Sequence, residues 1–205
     1  MLKKRIIIII MVLIFAISIS FYFDSEIVRR ISLIRNNVLD DFFLGITFVS
    51  SEIIIFFFLT SLFLWQAHKR KWILPLWITL GLSAIISFLL KVIVQRQRPF
   101  QLGIVSVLPI LEKTSHFIWN FSFPSFQTAL GFCAIPILSK EFPKLKYFWI
   151  AFACLIAFSR IYFGLHFPSD VLAGGAIGYL LGLLIVKTET KNKFFERFYN
   201  GIFKK

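Results

Sequence analysis

The stretch 72–94, WILPLWITLGLSAIISFLLKVIV, holds one charged residue, Lys91, close to its far end. A helix rises 1.5 Å per residue, so about 20 apolar residues cross the ~30 Å hydrocarbon core of a bilayer. The stretch therefore reads as a transmembrane helix. Working outward, hydropathy picks out five further apolar runs, at about 6–23, 45–67, 124–139, 147–163 and 171–186. Pro75 and Pro136 interrupt two of the six runs, which neighbouring helices in a bundle can accommodate. The expectation is an all-α integral membrane bundle of six transmembrane helices, in a single domain spanning 1–205.

Composition agrees. Hydrophobic residues make up 58% and charged residues 16%, Phe occurs 27 times, and mean hydropathy is +0.82. A soluble chain needs more polar surface than that. The net charge of +13 suits nucleic acid, an anionic membrane surface or an anionic substrate. Nucleic acid is excluded because the basic residues form short clusters between apolar runs. Cys133 and Cys154 each lie inside an apolar stretch and read as small core residues, not as a disulfide framework.

The distribution of Lys and Arg sets the expected orientation. Lys3, Lys4 and Arg5, the 68–71 loop, the 140–146 loop and the tail from Lys187 hold most of the basic residues. Both termini are expected in the cytoplasm, with 24–44, 95–123 and 164–170 facing outward. The first run exceeds the usual 7–15 apolar residues of a signal peptide and lacks a small-residue cleavage site. It reads as a retained helix. In the first outer segment, Ile27, Val28, Ile31 and Ile34 have near-helical spacing among Arg29, Arg30 and Arg35. That pattern fits a short amphipathic helix on the membrane or an ordinary connector.

Charges beside membrane helices are costly and tend to pair or to mark a functional path. Three clusters share the expected outer side. Lys91 and Arg98, seven apart, would share a helix face and offer two cations to a dianion, with Pro99 ending the helix. In Phe123-Pro124-Ser125-Phe126-Gln127, a helix N-terminus offers Ser125 and free N–H groups to phosphate. In Ser159-Arg160…His166…Asp170, a carboxylate four residues from a histidine can fix its tautomer and prepare it as a nucleophile toward phosphorus. Taken singly, Lys91 also reads as a snorkelling lysine, Ser125 as a helix cap and His166 as an interfacial histidine. Glu52, ionisable and inside the second run, could pair with Lys91 or Arg160.

In order and spacing the clusters resemble the signature of the type-2 phosphatidic acid phosphatases, or lipid phosphate phosphatases. That signature reads Lys, six residues, Arg-Pro; Pro-Ser-Gly-His; and Ser-Arg, five residues, His, three residues, Asp. The first element is complete in Lys91 and Arg98-Pro99, the third in Ser159-Arg160, His166 and Asp170. The resemblance implies a phosphatase without metal or cofactor, acting on a lipid phosphate or diphosphate through a phosphohistidine. By that analogy His166 is the nucleophile, oriented by Asp170. Lys91, Arg98 and Arg160 hold the phosphoryl oxygens, and Ser125 with the Phe126 N–H completes the cradle.

The second element departs from the pattern, reading Pro124-Ser125-Phe126-Gln127. Gln127 stands where the family has a proton-donating histidine, and an amide has no titratable proton near neutral pH. A diphosphate demands less protonation, because its leaving group is itself a phosphate with a second pKa of about 6. The expected substrate is therefore a polyprenyl diphosphate. The alternative is a non-catalytic relative that binds lipid phosphate. His116, in the same outer segment, is a second candidate proton source. Asn120-Phe121-Ser122 matches a glycosylation sequon but reads as accidental so near the site.

Overall fold

Among the described residues every regular element is helical, ten α-helices and two short 3₁₀ turns. The computed structural model describes residues 2–112 and 120–203, so Lys113 and His116 lie outside the described residues. The helices are α1 (Leu2–Ser32), α2 (Asn37–Val49), α3 (Glu52–Trp65), α4 (Ile73–Val94), α5 (Pro109–Glu112) and α6 (Phe126–Cys133). Then come α7 (Ile135–Glu141), α8 (Lys146–Tyr162), α9 (Pro168–Asn192) and α10 (Phe194–Phe203). Among the described residues, α8 with the short turn before it, α9, and α4 with its preceding 3₁₀ turn are each long and apolar enough to cross a membrane. The pair α2 and α3 makes a fourth crossing if counted as one bent span.

Several boundaries differ from the sequence expectation, each for a local reason. The run 45–67 is not one helix: α2 and α3 meet at 61° across Ser50-Ser51. There the Ser50 hydroxyl donates to the Thr47 carbonyl at 3.1 Å, the kind of local bond that competes with the helical ladder. The run 124–139 splits at Ala134, because Pro136 has no N–H to continue the ladder and sits instead in the first turn of α7. Pro75 interrupts nothing, since it falls in the first turn of α4, where its missing N–H costs nothing. Residues 24–32 do not form a separate surface helix; they continue α1.

Large apolar side chains remain outside, among them Phe57, Trp65, Ile93 and Phe148, as a lipid-facing surface requires. One buried cluster, including Leu59, Phe63, Leu76, Ile137 and Trp149, joins α3, α4, α7 and α8. A smaller one around Phe43, Tyr162 and Phe163 joins α2 to the end of α8.

The contact that places the site is α6 on α9. Gly174, Gly178 and Gly182 form a stripe one helical turn apart. A Cβ built on them would lie 2.4, 2.1 and 2.2 Å from the carbonyl oxygens of Ser125, Ala129 and Cys133. Only glycine lets the two backbones approach this closely. The basic segments gather at the opposite end of the bundle: Lys71 pairs with Glu196 at 2.9 Å, Lys69 lies over the Phe142 ring, and Lys140 donates to Thr190.

Candidate active site

Helix α4 ends at Val94 because Gln95 turns left-handed at φ 49°. Lys91 and Arg98 therefore do not share a helix face as their spacing suggested. A loop carries Arg98 back over the helix end, and both line one cavity of about 970 Å³ with Arg160, His166 and Gln127. Leu44, Phe48, Ile110, Leu111, Phe126 and Leu165 add apolar wall. A cationic floor under apolar walls suits an amphiphile whose head is a phosphate.

The floor is organised by three successive backbone carbonyls. Asn120 accepts from Arg98 Nε at 3.0 Å, Phe121 from Lys91 Nζ, and Ser122 from His166 Nδ1 at 2.6 Å. A carbonyl can only accept, so Nδ1 carries the proton, and the neutral imidazole keeps its lone pair on Nε2. Burial comes first, followed by the charges of Arg98, Lys91 and Arg160, in holding His166 well below the ordinary histidine range. Burial likewise lowers Arg98 to about 10, with Asp170 opposing, so it stays cationic at neutral pH.

Asp170 stands behind this arrangement. Its Oδ2 is 3.9 Å from His166 Nδ1, and it accepts from the Ser122 hydroxyl and the Phe167 N–H at 2.8 Å. The carboxylate thus holds the residue that holds the histidine, while capping α9. Gly164, at φ +67°, makes the turn from α8 that delivers His166 to the cavity.

Each of the three guanidinium nitrogens of Arg160 makes one hydrogen bond within the protein, which leaves two of its five N–H groups for a ligand. Its Nη1 donates to Gln127 Oε1, its Nη2 to Thr47 Oγ1 at 2.5 Å, and its Nε to Ser159. Ser125 is placed differently from its expected role. It is buried, its hydroxyl pairs with Thr128 at 2.9 Å, and its N–H donates to the Asp170 carbonyl at 3.0 Å. It is absent from the cavity wall, whereas Phe126 is on it.

The three clusters thus converge on one cavity, two of them complete and the second represented there by Phe126 and Gln127. The PAP2 superfamily model matches residues 72–194. The chain belongs to the PAP2 superfamily. Among its relatives, lipid phosphate phosphatase delta of Arabidopsis thaliana is 31% identical over 82% of the chain, although the chain spans only 43% of that protein. Undecaprenyl-diphosphatase BcrC of Bacillus subtilis is 30% identical over 75% of the chain and 76% of its own length. A PAP2-type phosphatidylglycerolphosphate phosphatase from Bacillus subtilis has the same fold, with a TM-score of 0.72, 24% identity, and coverage of 94% of this chain and 98% of that one.

The PAP2 match begins at Trp72 and leaves α1–α3 outside, yet these helices reach the site. Asp24 of α1, almost fully buried, pairs with Arg96 Nη2 at 2.7 Å and accepts from the Ser169 N–H and hydroxyl. Arg96 in turn donates to Asp170 at 2.7 Å. Neither Arg96 nor Asp24 belongs to the three clusters singled out in the sequence. The available signal was a carboxylate directly after the first apolar run, at 6–23. Ser122 was read only as part of a sequon; its buried hydroxyl is held by Asp170. Glu52, expected as a buried partner of Lys91 or Arg160, is instead exposed and lines the cavity.

Proposed function

We propose that this chain is a membrane phosphatase that removes the terminal phosphate of a lipid phosphate, with a polyprenyl diphosphate preferred. One observation carries the reading. His166 has its Nδ1 proton fixed by the Ser122 carbonyl, which leaves Nε2 as a nucleophile in a cavity lined by Lys91, Arg98 and Arg160. Nε2 attacks phosphorus, the three cations balance the charge on the phosphoryl oxygens, and the lipid leaves. Water then attacks the phosphohistidine and restores the neutral imidazole. The relatives' activities on lipid phosphates and on undecaprenyl diphosphate support the substrate class. Gln127 supports the diphosphate, because a phosphate departs as a stable anion without a donated proton. The collection of basic segments at the end opposite the site supports an outward-facing cavity with cytoplasmic termini.

His166→Ala should abolish phosphate release from a panel of lipid phosphates while the protein stays folded; retained activity would rule out the mechanism. The unmodified chain should cleave a polyprenyl diphosphate faster than a monoester of matched chain length. Gln127→His with Phe126→Gly should shift the ratio of the two kcat/KM values toward the monoester. Gln127 also favours a second reading, a lipid-phosphate-binding relative without turnover. Tight binding with no phosphate release from any lipid would select it.

A further inference from the structure

Removing the lipid as a stable anion answers only half of the chemistry. Hydrolysis of the phosphohistidine needs a group to take a proton from the attacking water, and the Gln127 amide cannot accept one. Among the described residues, Glu52 is the one carboxylate on the cavity wall. It is the first residue of α3, set at the 61° break in the α2–α3 span, and it is exposed rather than packed away. No side chain among the described residues pairs with it within 4.0 Å, although it lies within electrostatic reach of Arg160. The other charged or titratable groups on that wall are Lys91, Arg98, Arg160 and His166. A carboxylate on the same wall as His166 can accept a proton from a water held in the cavity. The helix break thus brings a carboxylate into a span, at a place the PAP2 match does not include.

We infer that Glu52 is the general base for the second half-reaction of the proposed phosphatase, on which the inference rests. Its carboxylate takes a proton from water as the water oxygen bonds to phosphorus. The P–Nε2 bond breaks, its electron pair returns to Nε2, and inorganic phosphate leaves. The proton on Glu52 then passes to solvent. The first half-reaction does not use Glu52, so substrate preference still follows from the leaving group.

The test is step-specific. The full chain in detergent is given a polyprenyl diphosphate radiolabelled in its terminal phosphate, and the enzyme-bound label and released phosphate are followed separately. Glu52→Gln should release about one equivalent of lipid monophosphate in a burst and retain label on His166, while steady turnover falls about 10²–10⁴-fold. Formate should restore turnover to Glu52→Ala, as a small carboxylate occupying the vacated position. A merely structural role would slow the burst with the turnover and give no rescue. Unchanged turnover in Glu52→Gln, or loss of burst and turnover together, overturns the assignment. So does a burst that appears in His116→Ala and not in Glu52→Gln. If the unmodified protein never forms a phosphohistidine, the proposed function falls as well; if it does and Glu52→Gln is normal, this inference falls alone.

Discussion

At the residue scale, His166 shows how one hydrogen bond and a set of charges prepare a group. The bond to Ser122 sets the tautomer, and burial with three cations disfavours the protonated ring. The sign of the pH effect follows. A histidine titrating below its ordinary value of about 6.5 remains neutral, and nucleophilic, at pH values where a free histidine is protonated. The acidic limb of kcat/KM contributed by His166 should therefore lie below about pH 6.5. Replacing Arg98 by Gln removes one of the cations that depress it, so the limb should move upward. The substrate's own phosphate titration is the same for both proteins, so a pH profile that compares them isolates the histidine. A limb that does not move would show that Arg98 does not tune His166.

At the element scale, the α6–α9 seam decides whether the site closes at all. Ser125 at the head of α6 donates its N–H to the carbonyl of Asp170 in α9, so the two helices must stay in register and in contact. At Gly178 an added Cβ meets the Ala129 carbonyl oxygen at 2.1 Å, whereas at Gly81 it meets nothing within 4 Å. Alanine is the better helix former by about 1 kcal/mol. Gly81→Ala should thus be neutral or stabilising. Gly178→Ala should lose about 1–3 kcal/mol by overpacking and should lower activity with it. Thermal unfolding in detergent reads the first effect and phosphate release the second. Equal behaviour of the two variants would mean that the seam is looser than its geometry.

At the scale of the whole molecule, the bundle is polarised. Lys71, Lys140 and α10 meet at one end; Arg96, Arg98 and His166 lie with the loops at the other. The positive-inside rule turns this polarity into an orientation. In a background with Cys133 and Cys154 replaced, a cysteine introduced at Gly103 should react with an impermeant reagent added from outside, and one at Lys144 should be spared. The reverse pattern would place the cavity on the cytoplasmic side. The same polarity explains why Asp24 can be buried near the end of a membrane helix. It pairs with Arg96 and accepts from Ser169, so its charge is compensated where removing a partner would cost about 3–5 kcal/mol.

Membrane residence, the helical class and the three cations that line the cavity were legible in the sequence by itself. Transfer into hydrocarbon is close to a sum over residues, so the stretch 72–94 declares a helix without reference to its neighbours. The spacing of Lys91, Arg98, Ser159, Arg160, His166 and Asp170 is equally local information. What only the tertiary structure decided are the contacts that depend on ångström-scale placement of distant residues. His166 is held by the Ser122 carbonyl, 44 positions away, with Asp170 one step behind. Arg96 reaches Asp24, 72 positions away. Ser125 turns its hydroxyl to Thr128 and away from the cavity. The bend at Ser50-Ser51 sets Glu52 on the cavity wall. A hydrogen bond or an ion pair exists only where packing brings donor and acceptor together within about 3 Å, and no local sum over residues contains that distance.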